Sequence, residues 1–193
     1  MDPVFVLQWP EFLLANRLQT LLPKRDGFTV YIPASRQEKG VDLAIIKKQG
    51  GGESRVATIQ VKASRTYIHG PPKRATTTPR FRYYMWFNRF DVQDEADFFL
   101  LVGMYAPNMG RTTQVGPEWY RDCTLMFSRE EMKDFMAKCL AVSGKPDRMF
   151  AFGFDNERSI VQTRGNKAWP DFTAFRLDNR ISLLRQQLSA QPK

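Results

Sequence analysis

Cysteine and histidine are nearly missing from this chain. Cys123 and Cys139 are the two cysteines and His69 the single histidine in 193 residues. That is too few for a disulfide framework, and the spacing is not that of a zinc site. Reduced, buried thiols are expected, and any chemistry falls to carboxylates, amides and amines. Long apolar runs are lacking as well. The opening MDPVFVLQWPEF has no positive leader and no apolar core, and no segment reaches the length of a membrane span. A cytoplasmic protein with no membrane partner is therefore expected. Hydrophobic residues at 42% and charged residues at 25% exclude wholesale disorder. With no internal repeat and no linker, 1–193 is expected to fold as a single domain large enough to bury its own core.

The most informative absence is local. Residues 54–90 contain no Asp or Glu, but they carry Arg55, Lys62, Arg65, Lys73, Arg74, Arg80, Arg82 and Arg89. The whole chain has 29 basic and 20 acidic residues, so 21 basic and 20 acidic residues remain outside this stretch. Nearly all of the net charge of +9 thus sits in one segment. Such segregation suits a surface that meets an acidic partner.

The order of elements follows from periodicity and punctuation. Residues 10–22 read as a helix, with Pro10 tolerated in the first turn, Leu14, Leu18, Leu21 and Leu22 apolar, and Pro23 as its stop. FTVYI (28–32) reads as a strand and PASRQEKG as the turn-rich loop after it. VDLAIIKK and RVATIQVKA are strand-like and are separated by QGGGES, whose glycines permit a reversal, so a β-hairpin is expected. Residues 66–79 read as a loop, within a basic insertion spanning 64–90, and FRYYMWF as a further strand. FFLLVGMY is apolar without alternation, as in a central strand covered on both faces. Ser128 and Glu131 form a capping box before a helix with Met132, Phe135, Met136, Cys139 and Leu140 on its inner side. FAFGF is a short strand, and a C-terminal helical segment covers 178–190.

The hairpin is where chemistry concentrates. Folding about the glycines pairs positions whose numbers sum to about 103, which sets Asp42 opposite the segment Gln60-Val61-Lys62. Opposed residues share a face and side chains alternate, so the expected register pairs Asp42 with Gln60 or Lys62 rather than Val61. Carboxylate and amide oxygens on Asp42 and Gln60 suit Mg²⁺, with Mn²⁺ as a substitute, and such an ion offsets charge growing on a phosphate during cleavage. Lys62 beside them can stabilise that charge or orient and help deprotonate the attacking water.

A helix, a strand, then GVDLAIIKK and ATIQVKASR resemble the PD-(D/E)XK nuclease superfamily, which includes restriction endonucleases and Holliday-junction resolvases. The resemblance covers residues 10–65 by motif and reaches to 105 by element order. It implies an α/β fold with a restriction-endonuclease-like core, a mixed central β-sheet flanked by helices, and Mg²⁺-dependent hydrolysis of DNA. It puts Asp42 and Lys62 in the motif's Asp and Lys positions and makes the backbone carbonyl of Val61 a further metal ligand. The chain departs from the pattern at Gln60, which stands where the second acid is usual. Glu11 precedes Leu14, Leu18 and Leu22 on one helical face. Resemblance to family members with a first-helix glutamate makes it a fourth catalytic candidate, while a place in the first turn that favours the helix dipole accounts for it equally well.

Together these readings give the expectation of a Mg²⁺-dependent endodeoxyribonuclease acting on double-stranded DNA as a homodimer, since two cuts in a two-fold substrate call for two copies. Arg65, Lys73, Arg74, Arg80 and Arg82 are the expected contacts to the DNA backbone. The aromatic residues of FRYYMWF read as core and His69 as a loop residue. Two alternatives stand beside it. The first is a catalytically inactive DNA-binding protein on the same fold, because Gln60 replaces an acid. The second is an RNA-binding or RNA-processing module, suggested by the aromatic and arginine-rich segment 80–90.

Overall fold

A computed structural model of the chain describes residues 9–33, 40–68, 81–106, 121–141, 143–155 and 159–190. Helix α1 (Trp9–Leu21) carries Pro10 in its first turn, where a missing N–H costs nothing, and turns Leu14 and Leu18 inward. Strand β1 (Phe28–Tyr31) pairs antiparallel with β2 (Leu43–Lys48), and β2 pairs antiparallel with β3 (Ser54–Ile68). The β2–β3 reversal runs through Gly50–Gly52, where Gly51 and Gly52 hold φ of 82° and 86°, angles that a Cβ would oppose. The hairpin is thus written into its three glycines.

Beyond it come β4 (Tyr83–Phe87), β5 (Phe98–Tyr105), β6 (Arg121–Ser128), helix α2 (Arg129–Lys138), β7 (Phe150–Phe154), β8 (Ile160–Arg164) and helix α3 (Leu177–Ser189). The described residues therefore form a mixed α/β fold of eight strands and three α-helices. Strands run in the order β1-β2-β3-β4-β7-β8, while β5 joins β3 to β6. Every pairing is antiparallel except that of β3 with β5.

Two apolar cores explain this arrangement. Leu14 and Leu18 of α1 and Leu184 and Leu188 of α3 pack on Leu43, Ile45, Ile59 and Val61. On the other side, Met132 and Phe135 of α2 meet Phe127, Phe150 and Phe152. Strand β5 serves both, sending Phe98, Leu100 and Val102 to the first core and Phe99 and Leu101 to the second. Burying one such side chain is worth about 1.5–3 kcal/mol, which is why this strand shows no polar alternation. The capping box also forms: Ser128 N–H donates to Glu131 Oε2 at 2.8 Å while Glu131 N–H donates to Ser128 Oγ at 3.4 Å. Neither cysteine is in a disulfide among the described residues, and both are buried. Among the described residues no helix is long and apolar enough to cross a membrane.

Several expectations need correction. Residues 66–68 are not loop, because β3 continues to Ile68 and pairs with β4 there. Arg65 accordingly lies in a strand, opposite Met104 of β5. Helix α2 ends at Lys138, so Leu140 leaves the helical face and is 46% exposed. Strands β6 and β8 were not expected at all. His69, Lys73, Arg74, Arg80 and the rest of 69–80 lie outside the described residues.

Candidate functional site

The β2–β3 ladder ends with Leu43 opposite Ile59, and the same register carried one step further sets Asp42 level with Gln60. Asp42 N–H donates to the Ile59 carbonyl at 2.9 Å, and Asp42 Oδ2 accepts from Val61 N–H at 2.7 Å. The carboxylate is therefore anchored on the backbone of β3 from the residue just before the start of β2. Such a charge-assisted bond fixes the side chain more firmly than a neutral one.

Val61 sends its side chain into the core beneath α1, so strand alternation turns Gln60 and Lys62 to the other face. Gln60 is 4% exposed, and its Oε1 is buried with no hydrogen-bond partner. A buried acceptor left unmet costs about 1–3 kcal/mol, so an unsatisfied amide oxygen next in sequence to the anchor of Asp42 calls for a reason. Lys62 is exposed and makes no hydrogen bond or ion pair with the described residues. Parallel pairing puts Gln60 beside Phe99 and Lys62 beside Leu101 of β5. Glu11 sits half-buried in the first turn of α1. Among the described residues no three His, Cys, Asp or Glu side chains converge as a metal-holding group.

The described arginines of the acid-free stretch differ from those elsewhere, whereas lysines such as Lys48 and Lys167 outside it are also without ion pairs. Arg55, Lys62, Arg65, Arg82 and Arg89 make no ion pair among the described residues. Elsewhere Arg129 pairs with Asp97, Arg148 with Asp91, Arg164 with Asp147, and Arg180 with Glu131. Arg82 lies just before β4, its guanidinium 5.2 Å from the centre of the Tyr83 ring. Among the described residues, positive charge is left without carboxylate partners where the sequence concentrates it.

Cys139, in the second core, does not fit the role of a thiol nucleophile. Burial pushes the Cys139 thiol up to about 11, so the thiolate needed for attack is scarce at neutral pH.

Trp86 departs from the expectation that the aromatic residues of FRYYMWF are core. Its neighbours Tyr83, Met85 and Phe87 point into the core, while Trp86 is 39% exposed. Its backbone N–H donates to Ser64 Oγ on β3 at 2.7 Å. Tyr84, which alternation places on the same face, is buried, so alternation alone does not separate Trp86 from the core aromatics. Comparison of the chain with protein-family models, with curated proteins and with solved structures finds no match.

Proposed function

We propose that this chain is a Mg²⁺-dependent endodeoxyribonuclease with a restriction-endonuclease-like core of the PD-(D/E)XK kind, acting on double-stranded DNA as a homodimer. The observation that carries the reading is the set of unpaired cations, Lys62 among them, on the same strand that anchors Asp42 and holds the unsatisfied oxygen of Gln60. Cations without internal partners are available to phosphates, which dominate affinity for nucleic acid.

Asp42 and Gln60 Oε1 are the side-chain groups that would hold Mg²⁺, with the Val61 carbonyl as a backbone donor. This donor set fits a hard ion that keeps several waters and takes substrate phosphate as a further ligand. When bound, the ion supplies positive charge against the phosphate oxygens. Val61 N–H keeps the Asp42 carboxylate in one orientation. Lys62 places its ammonium against the charge that grows on the phosphate and helps position the water. Arg65 and Arg82 hold the backbone of the duplex.

A second reading has its own support. Gln60 brings no charge, and no group of three acids forms among the described residues, which favours a DNA-binding protein that does not cut. Plasmid nicking in Mg²⁺, run alongside duplex binding, separates the two. Cutting by the natural protein, abolished in Lys62→Ala and in Asp42→Ala with binding retained, is the expected result. Binding without cutting by the natural protein would overturn the enzyme in favour of the binder.

A further inference from the structure

A cavity of about 270 Å³ lies away from Asp42, on the face of β4, β7 and β8 that is turned from the second core. Trp86 on β4 stands opposite Ala151 on β7, and Ala151 stands opposite Arg164 on β8. Ala151 thus spaces Trp86 from Arg164 across the sheet, and both of these larger residues line the cavity. Two indoles line the space, Trp86 and the half-buried Trp169. Trp169 holds φ at 52°, a left-handed angle that a bulky side chain adopts against steric resistance and that its surroundings must enforce.

Two further lining residues have unmet polar groups. Thr163 Oγ1 and Arg164 Nε are enclosed with no hydrogen-bond partner. The guanidinium is held in place through its other arm, since Arg164 Nη2 donates to Asp147 Oδ2 at 3.0 Å. Lys167, also lining the cavity, is exposed and unpaired among the described residues.

We infer that this cavity binds an unpaired nucleobase together with its phosphate. The indoles stack on the ring, the exposed part of the Arg164 guanidinium meets its oxygen and nitrogen atoms, and Lys167 meets the phosphate. The volume suits one ring system rather than a large ligand. The choice of a nucleotide rests on the nucleic-acid reading above, because Trp86 belongs to the acid-free stretch; the cavity and its unmet groups do not depend on it.

The test is a tryptophan-fluorescence titration of the full chain with guanosine and adenosine 5′-monophosphates, a single-stranded oligonucleotide, and the same oligonucleotide fully paired. Saturable quenching by mononucleotides identifies a free nucleotide as the source, and quenching by the single strand alone identifies an unpaired base within a strand; either supports the site. Trp86→Ala and Trp169→Ala should each weaken binding between about fivefold and about 150-fold, the range for one stacked base. Should either variant fail to fold, Lys167→Glu and Leu140→Glu, at exposed positions, carry the test by setting a carboxylate against the phosphate. No saturable quenching by any probe overturns the site. So does single-strand affinity that is unchanged in the folded variants. Plasmid cutting by the natural protein is a separate readout, so loss of the pocket leaves the nuclease standing and loss of the nuclease leaves the pocket standing.

Discussion

Salt offers a quantitative probe of the basic surface. Five described cations of the acid-free stretch, Arg55, Lys62, Arg65, Arg82 and Arg89, are unpaired, and the sequence adds Lys73, Arg74 and Arg80. Each phosphate neutralised contributes about −0.9 to the slope of log K against log salt on duplex DNA. Five contacts therefore give a slope of about −4.5, and eight give about −7. Raising KCl from about 50 to about 200 mM should then weaken binding by about 500-fold in the first case and about 20,000-fold in the second. Fluorescence anisotropy of a labelled duplex across that range gives the slope directly. Arg65→Ala and Arg82→Ala should each flatten it by about 0.9. Arg148→Ala should leave it unchanged, since Arg148 is already paired with Asp91. A slope shallower than about −2, or one indifferent to Arg65 and Arg82, would refute the assignment of these cations to phosphate.

Two further predictions concern the scaffold. Burial tends to raise the Glu131 carboxyl, but hydrogen bonds from Arg180 and from the Ser128 N–H and hydroxyl outweigh it and hold the group below its ordinary 4.5. A carboxyl held lower in the folded than in the unfolded chain adds stability above the unfolded value and loses it as pH falls through the folded one. Arg180→Ala should thus lower Tm near neutral pH, and its gap from the natural protein should shrink below pH 4.5; a gap that stays constant into strong acid would contradict this. Gly153→Ala should cost about 1–3 kcal/mol in a urea melt, the usual cost of overpacking. Its Cβ would meet Phe81 Cδ2 at 2.4 Å and Thr163 Cγ2 at 2.9 Å, and a neutral result would mean that Phe81 does not seat over Gly153.

Local signals were the ones that sequence carried well. The β2–β3 hairpin could be read because its glycines have one use, the capping box because two side chains three residues apart make it, and β5 because an unbroken apolar run needs cover on both faces. What escaped depends on distant partners. Residues 66–68 look like the start of a loop because a Pro- and Thr-rich segment follows them, and pairing with β4 keeps them extended. Strand β8 is short and holds a buried Gln162 whose amide is satisfied by the Arg164 carbonyl at 3.0 Å, so its inward face shows no apolar alternation. Near the candidate site, sequence named the residue types at Asp42, Gln60 and Lys62. It did not reveal that the Asp42 carboxylate would lean on the Val61 amide or that the Gln60 oxygen would be left unmet. The cavity beside Trp86 was invisible, because residues from β4, from β8 and from the turn after β8 meet there only in the folded chain.

Strand β3 runs for 15 residues and pairs with three others in succession, β2 over 54–59, β5 over 59–65 and β4 over 66–68. This makes the molecule unevenly tolerant of changes in chain length. An extra residue among Gly50, Gly51 and Gly52 only enlarges an exposed reversal. An extra residue between Ile59 and Ser64 turns every later side chain of the strand over. Gln60 or Lys62 would trade faces with Val61, and Ser64 would lose its hold on the amide of Trp86. A single inserted codon there would disable both the candidate cutting site and the pocket, although neither contains the other's residues.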